Sequence, residues 1–288
     1  MEEVDFIKEM RLLAQDAGKI AMRLINDSHP VLKDDLSVIT AADKEISILV
    51  RQRLDKYLQT GRHVLIDEES QDRGKYLDKG LLQNTPYIWA IDPIDGTRLY
   101  ANRIPLFAVS IGLIRELTPW LGVVYFPYLR EMFFCNGRQA FFVKNAFSSS
   151  EELVSIKPVD EEITDRSLFL LSDNFFRYFQ WRYGDCRLLI TACAAANLCW
   201  PTIGRGCGSL DRSFIWDFAG SWPILRYAGL GMRRLDTGKL LETLDIDCFS
   251  MDPSPWRLKD YYLISSERNY SILRAKIRDS ENPQPDLF

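Results

Sequence analysis

The sequence predicts an α/β protein made of two layered halves. Three features support this fold class. Two amphipathic helical segments open the chain, several strands on short turns follow them, and strands alternate with helices after about residue 150. The chain has 288 residues, of which 47% are hydrophobic, so it can bury a substantial core.

The two opening helices are predicted from the spacing of their apolar residues. In the first helix such residues recur every three or four positions, at Phe6, Met10, Leu13, Ala17, Ile20 and Leu24. The second helix follows Thr40, and its inward positions are Ile46, Leu49, Val50, Leu54 and Leu58.

The strands of the first half predict an antiparallel sheet, because short turns join them. They lie in HVLID, YIWAI, FAVSIGLIRE, WLGVVYFP and EMFFCNGRQAFFV, where Asn136-Gly137 is a strong hairpin signal. FAVSIGLIRE alternates large and small side chains. The large ones on one face are Phe107, Val109, Ile111 and Leu113, and the small ones on the other are Ala108, Ser110 and Gly112.

Polar, irregular sequence between residues 145 and 165 predicts a boundary between two subdomains. We place an N-terminal α+β subdomain at residues 1–150 and a C-terminal α/β subdomain at residues 151–288. In the second, strands are predicted in SLFLLS, CRLLI and YYLISSE. Helices are predicted in NFFRYFQ, ACAAANLC, WDFAGSWPILRYAGL and YSILRAKIRD.

Composition excludes several classes of protein. The net charge of -4 disfavours general binding to nucleic-acid polymers or to anionic membranes. There is no membrane-length apolar run, no signal-peptide pattern and no CxxC pair among the six cysteines, so we expect a cytoplasmic protein with reduced thiols. With two histidines in unrelated settings, neither a His-rich zinc site nor a Ser-His-Asp triad is supported.

Paired aspartates end one of the predicted core strands. In WAIDPIDGTRLY, Asp92 and Asp95 flank a proline whose fixed φ stiffens the loop. Their carboxylates and the Ile94 carbonyl between them are hard oxygen ligands, which suit Mg²⁺, Mn²⁺ or Ca²⁺. Facing carboxylates repel one another unless one is protonated or a cation lies between them.

Each acidic position also has a purely structural interpretation. Asp92 and Asp95 could be ordinary turn residues. Glu68 and Glu69 could belong to a solvated strand end. Asp217 and Asp43 could lie at helix N-termini, where acidic side chains cap the helix.

Three motifs together carry a family resemblance. DEES, WAIDPIDGT and WDFAG, in this order and spacing, resemble the inositol monophosphatase superfamily of metal-dependent sugar and nucleotide phosphatases. The upstream KDDLSVITAADKEI and the downstream PLFAVSIGL and GVVYFP are similar to that family too, so the resemblance covers nearly the whole chain. It implies a layered αβαβα sandwich of the inositol monophosphatase and fructose-1,6-bisphosphatase type.

The resemblance also implies which residues bind metal and act in catalysis. Two or three Mg²⁺ ions, or Mn²⁺ in their place, would be held by Glu68, Asp92, Ile94 through its carbonyl, Asp95 and Asp217. Thr97, supported by Asp43, would orient the attacking water near Glu68. Paired ions of this kind lower the pKa of the water and stabilise the leaving alkoxide, and they sit roughly 3.5–4 Å apart.

The same resemblance implies a substrate side formed by Asp95, Gly96, Thr97, Ala192, Cys193 and Asp211. Amides around Gly96 and Thr97 would receive the phosphate, because free N–H groups at a helix start attract anions. Here the chain departs from the family, which has Gly and a hydroxyl residue where Ala192 and Cys193 stand. Asp211 aligns with the family's acidic substrate contact only across one gap.

These features predict a Mg²⁺-dependent phosphatase that acts on the phosphate monoester of a small polyol, sugar or nucleotide. A homodimer is expected by analogy with the family. The departures predict that myo-inositol 1-phosphate is not the best substrate, and either Arg205 or Arg212 could pair with a second anionic group. The alternatives are a 3'(2'),5'-bisphosphate nucleotidase, a fructose-1,6-bisphosphatase, or a non-catalytic relative that binds a phosphorylated ligand.

Overall fold

The computed structural model describes residues 5–27, 30–32, 38–70, 78–250 and 255–280. The beginning of the KDDLSVITAADKEI motif, residues 33–37, lies outside this part of the chain. In chain order, helices α1 to α9 are Phe6–Leu24, Ala41–Leu58, Lys79–Gln83, Thr97–Ala101, Phe175–Tyr178, Ala194–Cys199, Ile215–Phe218, Trp222–Tyr227 and Glu267–Arg274. None of the described helices combines the length and the apolar character that crossing a membrane requires.

The strands are numbered in the same way. Strands β1 to β16 are Val31–Leu32, Val38–Ile39, His63–Asp67, Tyr87–Asp95, Ala108–Arg115, Thr118–Phe126, Glu131–Cys135, Ala140–Lys144, Glu152–Ser155, Ser167–Leu171, Phe179–Trp181, Cys186–Ile190, Gly208–Asp211, Gly231–Arg234, Tyr262–Ser265 and Ile277–Asp279.

The first large sheet has seven strands in sequential order, β3 to β9. From β4 onward every neighbouring pair is antiparallel, as the short turns predict. The antiparallel prediction is wrong for HVLID, because a long connection and not a short turn separates β3 from β4, and the two strands are parallel. The C-terminal ends of both strands therefore meet at the same edge of the sheet. The sheet continues to Ser155, inside the region of residues 145–165 where the sequence pattern changes. The division into two subdomains stays a prediction.

The large and the small side chains of β5 lie on opposite faces of the sheet and pack against different parts of the molecule. The large residues belong to the same buried core as α1 and α2, for example Ile111 together with Leu13 and Ile46. On the opposite face a Cβ at Gly112 would lie 2.5 Å from the carbonyl carbon of Ala219. Because the side chains on this face are small, the backbone that joins α7 to α8 can pack directly against β5.

The single helix predicted in WDFAGSWPILRYAGL is wrong, because the structure has two helices there. Helix α7 ends at Phe218 and α8 begins at Trp222. Between them, a Cβ at Gly220 would lie 2.6 Å from Ser110 Oγ, so the backbone passes directly over the sheet. Pro223 lies in the first turn of α8, where its missing N–H costs nothing.

A second sheet completes the layers. Its five strands run in the order β12-β10-β13-β15-β14. Residues of α6, α7 and α8 form one core between the two sheets, while α9 and α5 contribute to a core on the outer face of the second sheet. Together with α1 and α2, this gives the predicted αβαβα sandwich.

The ends of two predicted helices are strands instead. Helix α5 stops at Tyr178, and β11 pairs antiparallel with β16. The windows NFFRYFQ and YSILRAKIRD each begin as a helix and finish in this two-stranded sheet. Pairing between segments about 100 residues apart overrides the local helical pattern.

Candidate active site

The paired aspartates lie where β4 leaves the core. The register of β4 against β5 is irregular between Asp92 and Asp95. Asp92 Oδ1 accepts a hydrogen bond from the Ile94 N–H at 2.9 Å, which forms a local turn. Gly96 then adopts a left-handed φ of 86°, and α4 begins at the next residue. Asp92 thus makes a local hydrogen bond typical of a turn residue, and this coexists with the placement of both carboxylates in one site.

Asp217 comes from a distant part of the chain to meet Asp92 and Asp95 here. Carboxylate oxygens of Asp92, Asp95 and Asp217 all lie within 4.8 Å of one another. Asp217 Oδ2 also accepts from the Phe214 N–H at 2.9 Å, so this residue caps α7 as well. Glu68 follows β3, and its N–H donates to the Ile91 carbonyl of β4 at 3.2 Å.

The carboxylates of this cluster raise one another's pKa values. Burial raises the pKa of Asp92 well above its usual range, and the charges of Glu68, Asp217 and Asp95 add to it. The pKa of Asp217 is raised in the same way, by burial first and then by Asp95 and Glu68. A cation between these groups removes this repulsion. The buried, oxygen-rich donor set therefore fits a hard divalent cation.

Asp95 is held by the start of α6. Its Oδ2 accepts from the Cys193 thiol at 2.9 Å and from the Ala195 N–H at 2.6 Å, and its Oδ1 accepts from the Ala194 N–H at 3.1 Å. Burial raises the pKa of Asp95, while these hydrogen bonds, the Cys193 thiol first, oppose the rise. Burial also raises the pKa of the Cys193 thiol well above its usual range, so the sulfur stays protonated.

Thr97 and Asp43 each have a defined hydrogen-bond partner. The Thr97 hydroxyl donates to the Ile94 carbonyl at 2.8 Å. Asp43 Oδ2 accepts from the N–H and the hydroxyl of Thr40, at 2.7 and 2.6 Å, and so caps α2. The capping interpretation of Asp43 is thus observed, while its support of Thr97 stays a prediction.

One cleft of about 280 Å³ brings the predicted substrate side next to the acidic cluster. Among its lining residues are Glu68, Asp95, Gly96, Thr97, Ala192, Cys193, Asp211 and Asp217. Ala192 adopts a φ of 50°, in the left-handed region that favours glycine. Asp211 ends β13 and is buried, which raises its pKa to about 6.

The cleft also contains a residue that the sequence did not point to. Arg257 lines it together with Arg212. No motif surrounds Arg257 in PWRLKD, and it reaches the cleft through an isolated β-bridge to Phe214. Arg205, by contrast, does not line this cleft: its guanidinium forms two hydrogen bonds of 2.6 Å with Glu131. The predicted contact of Arg205 with a second anionic group is therefore wrong.

Comparison with known proteins agrees with this geometry. The profile of the Inositol monophosphatase family matches residues 2–271. The chain belongs to the inositol monophosphatase family. It is therefore a phosphatase that hydrolyses phosphoric monoesters, in a family that depends on metal ions.

Two curated relatives and one solved structure illustrate the likeness of this family member. It is 30% identical over 232 residues to Inositol monophosphatase 1 of Homo sapiens, covering 75% of this chain and 79% of the relative. It is 26% identical over 228 residues to the "Fructose-1,6-bisphosphatase/inositol-1-monophosphatase" of Aquifex aeolicus, covering 76% and 78%. Its fold matches that of the Thermotoga maritima IMPase with a TM-score of 0.70 at 20% identity, covering 94% and 96%.

Proposed function

We propose that this inositol monophosphatase family member hydrolyses the phosphate monoester of a small sugar or polyol in the cleft, with Mg²⁺ as its cofactor. The main support is the convergence of Asp92, Asp95 and Asp217 within 4.8 Å beside the Gly96-Thr97 loop. A protein that only bound a phosphorylated ligand would gain nothing from so much buried, mutually repelling carboxylate.

The ions would be held by Glu68, Asp92, Asp95, Asp217 and the Ile94 carbonyl. Bound divalent cations supply Lewis acidity for the attacking water and for the departing oxygen. Because the Thr97 hydroxyl donates a hydrogen bond to the Ile94 carbonyl, its lone pairs are available to accept a hydrogen bond from that water. Glu68, which also lines the cleft, completes the orientation of the water, and the first N–H groups of α4 bind the phosphate oxygens.

The leaving group should differ from myo-inositol. Ring hydroxyls need hydrogen-bond partners, and an unmatched buried polar group is costly. Here Ala192 offers a methyl group, and the thiol of Cys193 is engaged with Asp95. Asp211, which is buried and lines the same cleft, offers a carboxylate that can accept from a hydroxyl. We therefore propose that another sugar phosphate is hydrolysed more efficiently than myo-inositol 1-phosphate.

Phosphate release from a panel of sugar, inositol and nucleotide phosphates tests this function. We expect activity with Mg²⁺ or Mn²⁺ and none after exhaustive chelation. Asp92→Asn is the informative variant, because Oδ1 accepts from the Ile94 N–H and an asparagine carbonyl can replace it. Asp95→Asn is less suitable, since both oxygens of Asp95 accept from other groups and an NH₂ would face a donor.

Loss of a residue that only hydrogen-bonds to a metal ligand typically lowers activity about 10–100-fold. We expect Asp92→Asn to lower turnover by more than this. Undiminished release after chelation, or a folded Asp92→Asn enzyme with normal turnover, would contradict the metal assignment. A folded wild-type protein that releases no phosphate from any ester would support a binding-only relative.

The cytoplasmic location and the homodimer stay predictions. Sedimentation of the full chain tests the homodimer.

A further inference from the structure

We infer that Arg257 and Arg212 form an anion subsite that receives a second phosphate or carboxylate group of the substrate. This inference rests on the proposed phosphatase function and names its substrate class, a small sugar phosphate with a second anionic group. Both arginines line the cleft that contains Asp95 and Asp217.

Neighbouring side chains hold the two guanidinium groups against the wall of the cleft. Arg257 lies 5.8 Å from the ring centroid of Phe214, to which its backbone is bridged. Arg212 lies 5.4 Å from the ring centroid of Tyr261, and its Nε donates to the Leu258 carbonyl at 3.2 Å. Planar groups positioned in this way are suited to bidentate hydrogen bonds with phosphate or carboxylate oxygens.

The charges around the pair favour an added anion. Burial, and then the charge of Arg212, lower the pKa of Arg257, so two like charges are close together in a partly buried place. Tyr261, Asp217 and Asp211, in this order, offset part of this repulsion. Asp217, however, is shared with the acidic cluster, and Asp211 is next to the substrate side. A second anionic group on the substrate stabilises both arginines directly.

The residues that line this part of the cleft also disfavour a nucleotide as the substrate. Phe214 is the only aromatic residue among the described residues that line the cleft. Its ring is stacked on Trp216, with centroids 4.6 Å apart and planes 8° from parallel, and it also carries the Arg257 guanidinium. The Phe214 ring is thus already in contact with Trp216 and with Arg257. A nucleobase gains little stacking here, which favours a sugar bisphosphate or a sugar phosphate with a carboxylate.

Matched substrates separate the subsite from the rest of the reaction. We would measure kcat/KM for fructose 1,6-bisphosphate against fructose 1-phosphate, and for myo-inositol 1,4-bisphosphate against myo-inositol 1-phosphate. In at least one pair the wild type should prefer the bisphosphate by about tenfold or more. Arg257→Gln and Arg212→Gln should each reduce that preference by about tenfold, chiefly through KM.

Arg205→Gln is the matched control, because Arg205 is paired with Glu131 outside the cleft and its loss should leave the preference unchanged. Arg257→Lys should recover only part of the preference, since lysine keeps the charge but not the bidentate geometry. Equal losses on both members of each pair would show that the arginines merely balance buried carboxylates. A wild type without preference in either pair would also overturn the subsite, whereas absence of all phosphate release would overturn the proposed function.

Discussion

The Cys193 thiol donates a hydrogen bond to Oδ2 of Asp95 at 2.9 Å, across 98 positions of sequence. The family resemblance places Cys193 on the substrate side, and the residue does line the cleft. Its sulfur nevertheless has a carboxylate of the acidic cluster as its partner. Cys193 is therefore a positioning residue for Asp95, and it couples α6 in the second half of the chain to the loop after β4 in the first.

Replacing this thiol should change metal binding more than substrate binding. We expect Cys193→Ala to raise the Mg²⁺ concentration for half-maximal activity by about 3–10-fold. A hydrogen bond to a charged group contributes about 1.5–3 kcal/mol, and because a thiol is a weak donor the effect should fall just below this range. Cys193→Ser keeps a donor and should restore the affinity. Calorimetric Mg²⁺ titration measures it; unchanged Mg²⁺ affinity with a raised KM would instead indicate a direct substrate contact.

A second prediction concerns the strained residue beside Cys193. Ala192 has a φ of 50°, a conformation that costs a non-glycine residue about 1–2 kcal/mol. Glycine avoids this cost but adds about 0.4–1 kcal/mol of unfolded-state entropy. We therefore expect Ala192→Gly to increase the free energy of unfolding by roughly 0.5–1 kcal/mol, measured by urea denaturation.

A control for that substitution is available in a helix. Ala101→Gly replaces an alanine of α4 and should lower the free energy of unfolding by about 1 kcal/mol. If both substitutions destabilise the protein to the same extent, the left-handed conformation of Ala192 carries no strain.

Local patterns predicted the parts of the fold that depend on neighbours in sequence. The two faces of β5 follow from a period of two, and Asp92 and Asp95 are brought together within one short loop. Contacts between residues distant in sequence determine the parts of the fold that local patterns did not predict. The break before α8 depends on contact of Gly220 with β5, and β11 forms only against β16.

The same distinction applies to the site. Glu68, Asp95 and Asp217 belong to recognisable motifs, and the structure brings them to one cleft. Arg257 has no local signature, because only the bridge to Phe214 carries it there. Cys193 lines the cleft, but the partner of its thiol depends on how α6 meets the loop after β4. Roles that depend on distant pairing are thus the ones that sequence patterns leave open.

Thr97→Ala should lower turnover with little change in Mg²⁺ affinity. Its hydroxyl is oriented by the bond to the Ile94 carbonyl, and positioned proton transfer contributes about 10²–10⁴-fold to rates. Thr97→Ser keeps the hydroxyl and should retain most activity. Turnover that fell only in step with Mg²⁺ affinity would argue against the water-orienting role.

Asp43→Ala distinguishes the two roles of that carboxylate. As a cap of α2 through Thr40, its loss should lower the free energy of unfolding by about 0.5–2 kcal/mol. If Asp43 also supports Thr97, turnover of the folded enzyme should fall as in Thr97→Ala. Turnover that stays normal in the folded fraction would limit Asp43 to capping. Denaturant unfolding and phosphate release on the same sample give both values.

The last prediction concerns His63, which is half-buried at the start of β3. Its Nδ1 accepts a hydrogen bond from the Trp89 indole N–H at 3.1 Å, and its ring is stacked on Tyr87 with centroids 4.5 Å apart. Burial, and then the charge of Arg62, lower the pKa of His63 to about 4. An unfolded histidine has a pKa of about 6.5.

Between these two pKa values the unfolded chain binds a proton that the folded protein does not. The stability contributed by neutral His63 is therefore fully present above pH ~6.5 and is lost as the pH falls toward about 4. His63→Asn should remove this loss, because Asn Oδ1 can accept from Trp89 without titrating. The variant should be less stable at pH 7, since the stacking on Tyr87 is gone, yet lose less stability between pH 7 and pH 5. Urea unfolding of both proteins at each pH isolates this difference, because every other titrating group is common to them; parallel pH profiles would mean that protonated His63 is tolerated in the folded state.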